Sequence, residues 1–188
     1  VNEHSRRLLD AMARCVAEKG YAGTTIADVA AAAHVSKRTF YENFNSKAQC
    51  LVALYEAASR QALHVLKDAI DPHQDWHQQV EQSLRAYFAC MSSSPVLMRT
   101  LFMEMLALGP EGLAARRRAY SDLAELMLQV VNNDVPRAAH LPASLAVAIV
   151  GGINELVLQA IEDNRLDHLD ELTEPAARLV RAVVDHWR

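Results

Sequence analysis

Cysteine is scarce in this chain of 188 residues, which has only Cys15, Cys50 and Cys90. Their number is odd, their spacing wide and no CxxC occurs, so neither a disulfide framework nor a CxxC metal site is indicated. Each falls inside a helical pattern and reads as a reduced core thiol. Glycine and proline number six each, too few for a low-complexity or fibrous chain, and no internal repeat is visible. No stretch of some 18 apolar residues runs without a charge, and no short apolar segment near the start is followed by a small-residue cleavage site. A soluble cytoplasmic protein without a membrane partner is expected. Alternating β-branched runs are also missing, which excludes a sheet. A net charge of −4 argues against a protein that coats nucleic acid indiscriminately.

Catalytic signatures are equally sparse. There is no GxSxG, no phosphate-cradling glycine loop and no HExxH. A di-iron helical bundle needs a carboxylate three residues before a histidine on two helices, and no Asp or Glu precedes any of the eight His at that distance. His73 and His77 stand four apart without a third ligand nearby and read as exposed side chains. Arg116, Arg117 and Arg118 read as a solvated face. No enzyme, no cofactor and no metal is expected.

What is present is an apolar fraction of 51%, enough for a packed core. Charge is uneven: residues 1–47 carry seven Lys and Arg against five Asp and Glu, while the remainder carries twelve against eighteen. A mildly basic head on an acidic body suits a DNA module joined to a regulatory domain.

Nearly every segment has helical periodicity, and the expected class is all-α with about nine helices. The first places Leu8, Leu9, Met12, Ala13, Val16 and Ala17 on one stripe and stops at Gly20, with Tyr21 folding back. Thr25 with Asp28 forms a capping box for a helix through Ala33, and Ser36 caps a third from Lys37 to about Phe44. Ser46 with Gln49 starts a long fourth helix that meets no breaker until Asp71-Pro72, a connecting rod of roughly 36 Å. Further helices are expected from about Asp75 to Met91, from Pro95 to Leu108, from Pro110 to the Asn132-Asn133-Asp134 cluster, from Pro142 to about Asn164, and from Thr173 onward. The loops at 133–141 and 165–172 are the expected mobile stretches.

The segment Thr25 to Phe44 carries the chemistry. Ile26, Val29, Ala30 and Ala33 face inward on one helix, His34-Val35-Ser36 make a tight turn, and Phe40 and Phe44 face inward on the next. Helices joined so tightly cross steeply, and a small residue such as Ala30 lets the backbones approach. This is helix-turn-helix spacing, in which the second helix presents its N-terminal residues to base edges and its surroundings hold phosphates. Ser36, Lys37, Arg38 and Thr39 occupy those positions. Tyr41, beside Phe40, cannot share the inward face and must project outward.

The run TTIADVAAAAHVSKRTFYENFNSK resembles the N-terminal module of the TetR family of repressors, over about residues 5–55. The resemblance implies a DNA-binding domain at 1–47 and a helical ligand-binding and dimerisation domain at 48–188. It also implies that Thr25, Tyr41 and Lys47 contact phosphates, with Thr39 and Lys37 or Arg38 nearest to bases. Two positions depart from the family pattern. His34 replaces a common Gly where positive φ is wanted, and Asn43 replaces a frequent His and can donate to phosphate without carrying charge.

After residue 50, aromatic and sulfur side chains gather on helices five to seven. Trp76, Tyr87, Phe88, Met91, Met98, Phe102, Met103, Met105, Tyr120 and Met127 suit either a bundle core or an apolar pocket wall. The resemblance implies a pocket between helices four to eight, and Trp76, Tyr87, Phe88, Met91, Phe102, Met103, Tyr120 and Met127 are its candidate residues. Asn154 and Glu155 interrupt a strongly apolar helix and need a partner, which ligand, water or another chain could supply. Gly151 and Gly152 in that helix cost roughly 1 kcal/mol each relative to Ala. Close approach of a second copy, with Val180, Val183, Val184 and Trp187 completing a four-helix interface, is one compensation, and close packing within the chain is the other.

A short recognition helix reads only a few base pairs, so a homodimer on a palindromic double-stranded operator is expected. The expected function is a repressor released by a small apolar or amphipathic effector. A regulator controlled by a protein partner, or working without a small ligand, is the alternative, and a helical-bundle enzyme is the rival class.

Overall fold

The computed structural model describes residues 2–133, Pro136 and 139–187. Among these the chain is helical without strands: α1 (Glu3–Gly23), α2 (Ile26–Ala32), α3 (Lys37–Asn43), α4 (Lys47–Asp68), α5 (Trp76–Ser92), α6 (Pro95–Ala107), α7 (Pro110–Val131), α8 (Ala143–Glu162), a 3-10 stretch Leu166–Leu172, and α9 (Thr173–Trp187). The all-α expectation is met, and the nine expected helices appear with ends moved by a few residues.

Local chemistry sets those ends. Asn2, Ser36 and Asp75 each accept a backbone N–H three residues on and so cap α1, α3 and α5. The Thr25–Asp28 capping box is complete in both directions. Gly20 takes φ +70° and interrupts α1, which then runs one more turn to Gly23; only a residue without Cβ adopts that angle freely. Ser46 accepts the Gln49 N–H, while the Gln49 side chain reaches back to the Asn45 N–H instead of closing on Ser46.

The chain forms two compact units, 1–59 with 96–116 and 60–95 with 117–188. These packing units differ from a division at residue 47, because the first half of α4 and α6 from Val96 onward group with α1–α3. In the first unit Leu8, Met12, Val16, Val29, Phe40, Leu51, Leu101 and Met105 are fully buried. Ala17, expected on the inner stripe of α1, is exposed, and Ala11 and Cys15 are buried instead. Gly112 permits the α6–α7 corner, since a Cβ there would stand 2.2 Å from the Met105 carbonyl oxygen.

In the second unit α5 packs against α9 and the 3-10 stretch, and α8 against both of these. The stretch at 165–172, expected as a mobile loop, is ordered. Leu166, Leu169 and Leu172 recur every third residue, the 3-10 period, with the first two buried, and Ser92 Oγ donates to the Leu166 carbonyl at 2.9 Å. Of the other expected loop, 133–141, residues 134, 135, 137 and 138 lie outside the described residues. The helix α8 is long and apolar enough to cross a membrane. Ala146, Ile149, Val150, Ile153, Val157 and Ile161 on it are nevertheless buried within the chain.

Candidate nucleic-acid interface and ligand cavity

The turn between α2 and α3 is closed by two hydrogen bonds, from the His34 N–H to the Ala31 carbonyl and from the Val35 N–H to the Ala30 carbonyl, both 3.0 Å. This is a Schellman ending with His34 in the left-handed position, at φ +55°. A side chain there is strained, so His34→Gly is expected to raise unfolding stability by about 0.5 kcal/mol, strain relief outweighing the extra freedom of the unfolded chain. Urea unfolding measures it. A loss of stability would mean that the His34 side chain makes a stabilising interaction of its own.

Two arginines of α1, absent from the expected site, hold this turn. Arg7 donates to the Ala33 and His34 carbonyls and Arg14 to the Ala32 carbonyl, so two guanidinium groups satisfy carbonyls at the C-terminal end of α2, where the helix dipole favours cations. Their seven-residue spacing on α1 was the available signal. At the other end of α2, the Lys19 ammonium at 2.8 Å and the Thr25 O–H and N–H hold the Asp28 carboxyl well below the usual range. A depressed carboxyl contributes stability that is present above about pH 4 and lost as the pH falls further. Asp28→Asn is therefore expected to flatten the acid limb of the stability curve, and an unchanged limb would remove this residue from the account.

The expected DNA-binding residues divide into two groups. Ser36, Thr25 and Asn43 are occupied within the chain. Ser36 Oγ accepts the Thr39 N–H and shares a hydrogen bond with Thr39 Oγ1 at 3.0 Å. Thr25 caps α2. Asn43 Oδ1 accepts from Ser5 Oγ and Asn2 Nδ2, and its Nδ2 donates to the Thr39 carbonyl, so Asn43 ties α3 to the start of α1. Lys37, Arg38 and Tyr41 project outward. Tyr41 is 55% exposed, edge-on to the buried Phe40 ring at 5.6 Å, Arg38 pairs only with Glu42 on the surface, and Lys37 has no partner among the described residues. Thr39 lies half-buried between the groups. Lys47 is bound more tightly than expected of a phosphate-binding residue. Its Nζ donates to the Tyr21 and Thr24 carbonyls at 2.8 and 2.9 Å and sits 4.1 Å from the centre of the Tyr21 ring. An ammonium has three donors, so one remains.

In the second unit, side chains of α4 (Leu66), α5 (Val80, Ser83, Leu84, Tyr87), α7 (Leu123, Leu126, Met127, Val130), α8 (Val150, Ile153, Asn154) and α9 (Val180), with Ile70, line a cavity. It leaves about 80 Å³ open to the centres of water-sized atoms, where about 10–15 Å³ of that measure holds one water. Its wall is aliphatic except for three polar groups. Asn154, 3% exposed, donates to the Val150 carbonyl at 2.9 Å and accepts a long 3.4 Å hydrogen bond from the Tyr87 hydroxyl. Ser83 Oγ is buried with no partner.

Residues 8–54 match the family model described as bacterial regulatory proteins, tetR family. The N-terminal module is thus similar to that of the tetR family. Among curated proteins none matches the chain. The fold of the whole chain is that of several solved structures. One is a fatty acid degradation regulator FadR from Bacillus halodurans, with TM-score 0.77, 19% identity, and coverage of 96% of this chain and 95% of that one. Another is FadR from Bacillus subtilis in complex with stearoyl-CoA, with TM-score 0.70, 18% identity, and coverage of 93% and 96%. A third is PfmR from Thermus thermophilus, with TM-score 0.62, 21% identity, and coverage of 93% and 96%.

Of the expected ligand residues, Tyr87, Met127 and Asn154 line the cavity. Phe88 and Met91 are buried outside the lining: Phe88 stands to one side of the α5 stripe that Val80, Ser83, Leu84 and Tyr87 form at helical spacing, and Met91, on that stripe, lies one turn beyond Tyr87. Trp76 and Tyr120 are half-buried outside the lining, and Glu155 is exposed on the far side of α8. Phe102 and Met103 belong to the first unit. Ser83 was missed; a hydroxyl within an otherwise apolar stripe was its signal.

The expected dimer residues also divide. Val180 and Val184 are buried inside the single chain and leave nothing for a partner to cover. Val183 is half-buried, and Trp187 is 48% exposed with Nε1 donating to the His140 carbonyl at 2.9 Å. At Gly151 an added Cβ would meet nothing within 4 Å, and at Gly152 only Leu179 Cδ2 at 3.4 Å. Close packing within the chain therefore does not account for Gly151, whereas Gly152 lies against Leu179. Among the described residues no three His, Cys, Asp or Glu form a metal-binding group. Burial pushes the Cys50 thiol up to about 12 and raises Cys15 and Cys90, so these are not reactive thiolates at neutral pH.

Proposed function

We propose that this protein is a tetR-family regulator, a cytoplasmic homodimeric repressor that reads a palindromic operator with α3 and leaves it when a small, mainly apolar effector fills the cavity of the second unit. The observation that carries the reading is the outward row of Lys37, Arg38 and Tyr41 on a short helix held by the Schellman turn, the Arg7 and Arg14 caps and the Asn43 tie. A rigid helix offering positive and hydrogen-bonding groups at its N-terminal half fits a major groove. Lys37, Arg38 and Thr39 are assigned to bases or the nearest phosphates, Tyr41 and the third donor of Lys47 to phosphates, and Thr25, Ser36 and Asn43 to holding that frame.

The dimer is supported by the unfilled space at Gly151, together with Val147 and Trp187, which are large apolar groups exposed on α8 and α9. Coupling is supported by two helices: α4 and α7 contribute Leu66, Leu123, Leu126, Met127 and Val130 to the cavity wall, and their N-terminal ends belong to the unit that carries α3. Effector binding that shifts either helix changes the separation of the two α3 helices. The stearoyl-CoA complex of the Bacillus subtilis neighbour is consistent with an effector having a long apolar part. Selection of binding duplexes from a random pool tests the reading: two inverted half-sites with centres about one helical turn apart are expected, and no enriched sequence would refute it.

A further inference from the structure

We infer that Ser83 is the polar anchor of the cavity, and that the effector is neutral in its buried part, aliphatic in its body and carries one carbonyl or hydroxyl that meets the Ser83 hydroxyl. This rests on the cavity being the effector site. A serine inside a helix ordinarily bonds back to a carbonyl one turn earlier, yet Ser83, only 9% exposed, has no partner, and its residue lines the cavity. An unpaired buried hydroxyl is costly unless something uses it. Tyr87, one turn further along α5, and Asn154 across the cavity place two more polar groups in the same wall. The Asn154 amide fills two of its four hydrogen-bonding positions, leaving an N–H that can support the same group. No lining residue is charged, so a carboxylate or ammonium brought inside would lose its hydration without a counter-ion. The lining contains one aromatic residue, Tyr87, and apart from it, Ser83 and Asn154 is built of aliphatic side chains and Met127, which favours a chain or alicyclic body over a stacked ring.

Removing the hydroxyl separates this role from a structural one. Ser83→Ala is expected to raise the thermal midpoint of the ligand-free protein, because an unpaired buried group is lost. A serine serving the fold would lower it. Calorimetric titration of the full chain with 2-heptanone and with heptanoate completes the test. The ketone is expected to bind the unsubstituted protein at least tenfold more tightly than the carboxylate. Its affinity should fall several-fold to about tenfold in Ser83→Ala, the effect of one hydrogen bond, and stay near the original value in Ser83→Thr. Equal ketone affinity for the unsubstituted protein and Ser83→Ala overturns the anchor and leaves the cavity standing. Binding of heptanoate as tight as that of the ketone overturns the neutral class, and no binding of either compound to the unsubstituted protein overturns the cavity reading itself.

Discussion

Phe40→Ala is expected to destabilise the first unit by about 3–5 kcal/mol, whereas Tyr41→Ala, one residue along the same helix, costs no more than about 1 kcal/mol and still abolishes tight operator binding. Phe40 is fully buried, with Phe44 at 5.9 Å between ring centres and Leu8, Met12 and Leu51 in the same core. Truncating it leaves a cavity where large apolar groups hold α3 to α1 and α4, so DNA binding fails because the reading helix is no longer held. Tyr41 is more than half exposed, and its fold contribution is the edge of its ring against Phe40. A hydrogen bond to a charged phosphate contributes about 1.5 kcal/mol or more. Its removal from both halves of a dimer weakens binding about a hundredfold. Thermal unfolding and DNA titration on the same samples separate the two variants. A Tyr41→Ala protein that binds its operator normally would mean that the outward face of α3 is not the reading face.

Lys47→Ala is expected to damage stability and binding together, unlike the removal of a side chain that touches phosphate alone. Its ammonium holds the Tyr21 and Thr24 carbonyls and the face of the Tyr21 ring, joining the start of α4 to the Gly20 turn and the entry to α2. Hydrogen bonds from a charged donor contribute about 1.5–3 kcal/mol each, and the freed carbonyls recover part of this from water, so a loss of about 2 kcal/mol is expected. Operator affinity should fall on every sequence alike, and the salt dependence should flatten by roughly one counterion for each phosphate that Lys47 neutralises. Urea unfolding and titration at several salt concentrations read both. Unchanged stability would show that the two carbonyl bonds contribute nothing, and an unchanged salt slope would remove the phosphate role.

The helical architecture was legible because the signals were local. Thr25 with Asp28, Ser36, Asp75, Pro95, Pro110 and Pro142 mark helix starts through their own hydrogen-bonding or ring geometry, and the structure places helix starts beside each. His34 was legible as a positive-φ residue for the same reason. Leu166, Leu169 and Leu172 escaped because a period of three over seven residues is too short to stand apart from a loop.

Within the site, residue type identified Tyr41 and Lys37 as outward groups. It did not show that Lys47 and Asn43 spend most of their donors and acceptors inside the chain. Those partners lie 23 to 41 residues away, and long-range hydrogen bonds of polar tips leave no periodic trace. The cavity illustrates the same limit. Large side chains such as Phe88 and Met91 suit a pocket wall by type, yet they are buried outside the lining, and the smaller Ser83 reaches the space.

The proposed mechanism requires that occupancy of the cavity and DNA binding by α3 be coupled. The direct measurement is the Kd for the selected duplex, determined at fixed salt with and without saturating 2-heptanone. Coupling free energies of this kind correspond to about 5–150-fold in affinity, and the duplex Kd is predicted to rise by at least fivefold when the ketone is bound. Saturating ketone that leaves the Kd unchanged would mean that the cavity and α3 are not coupled.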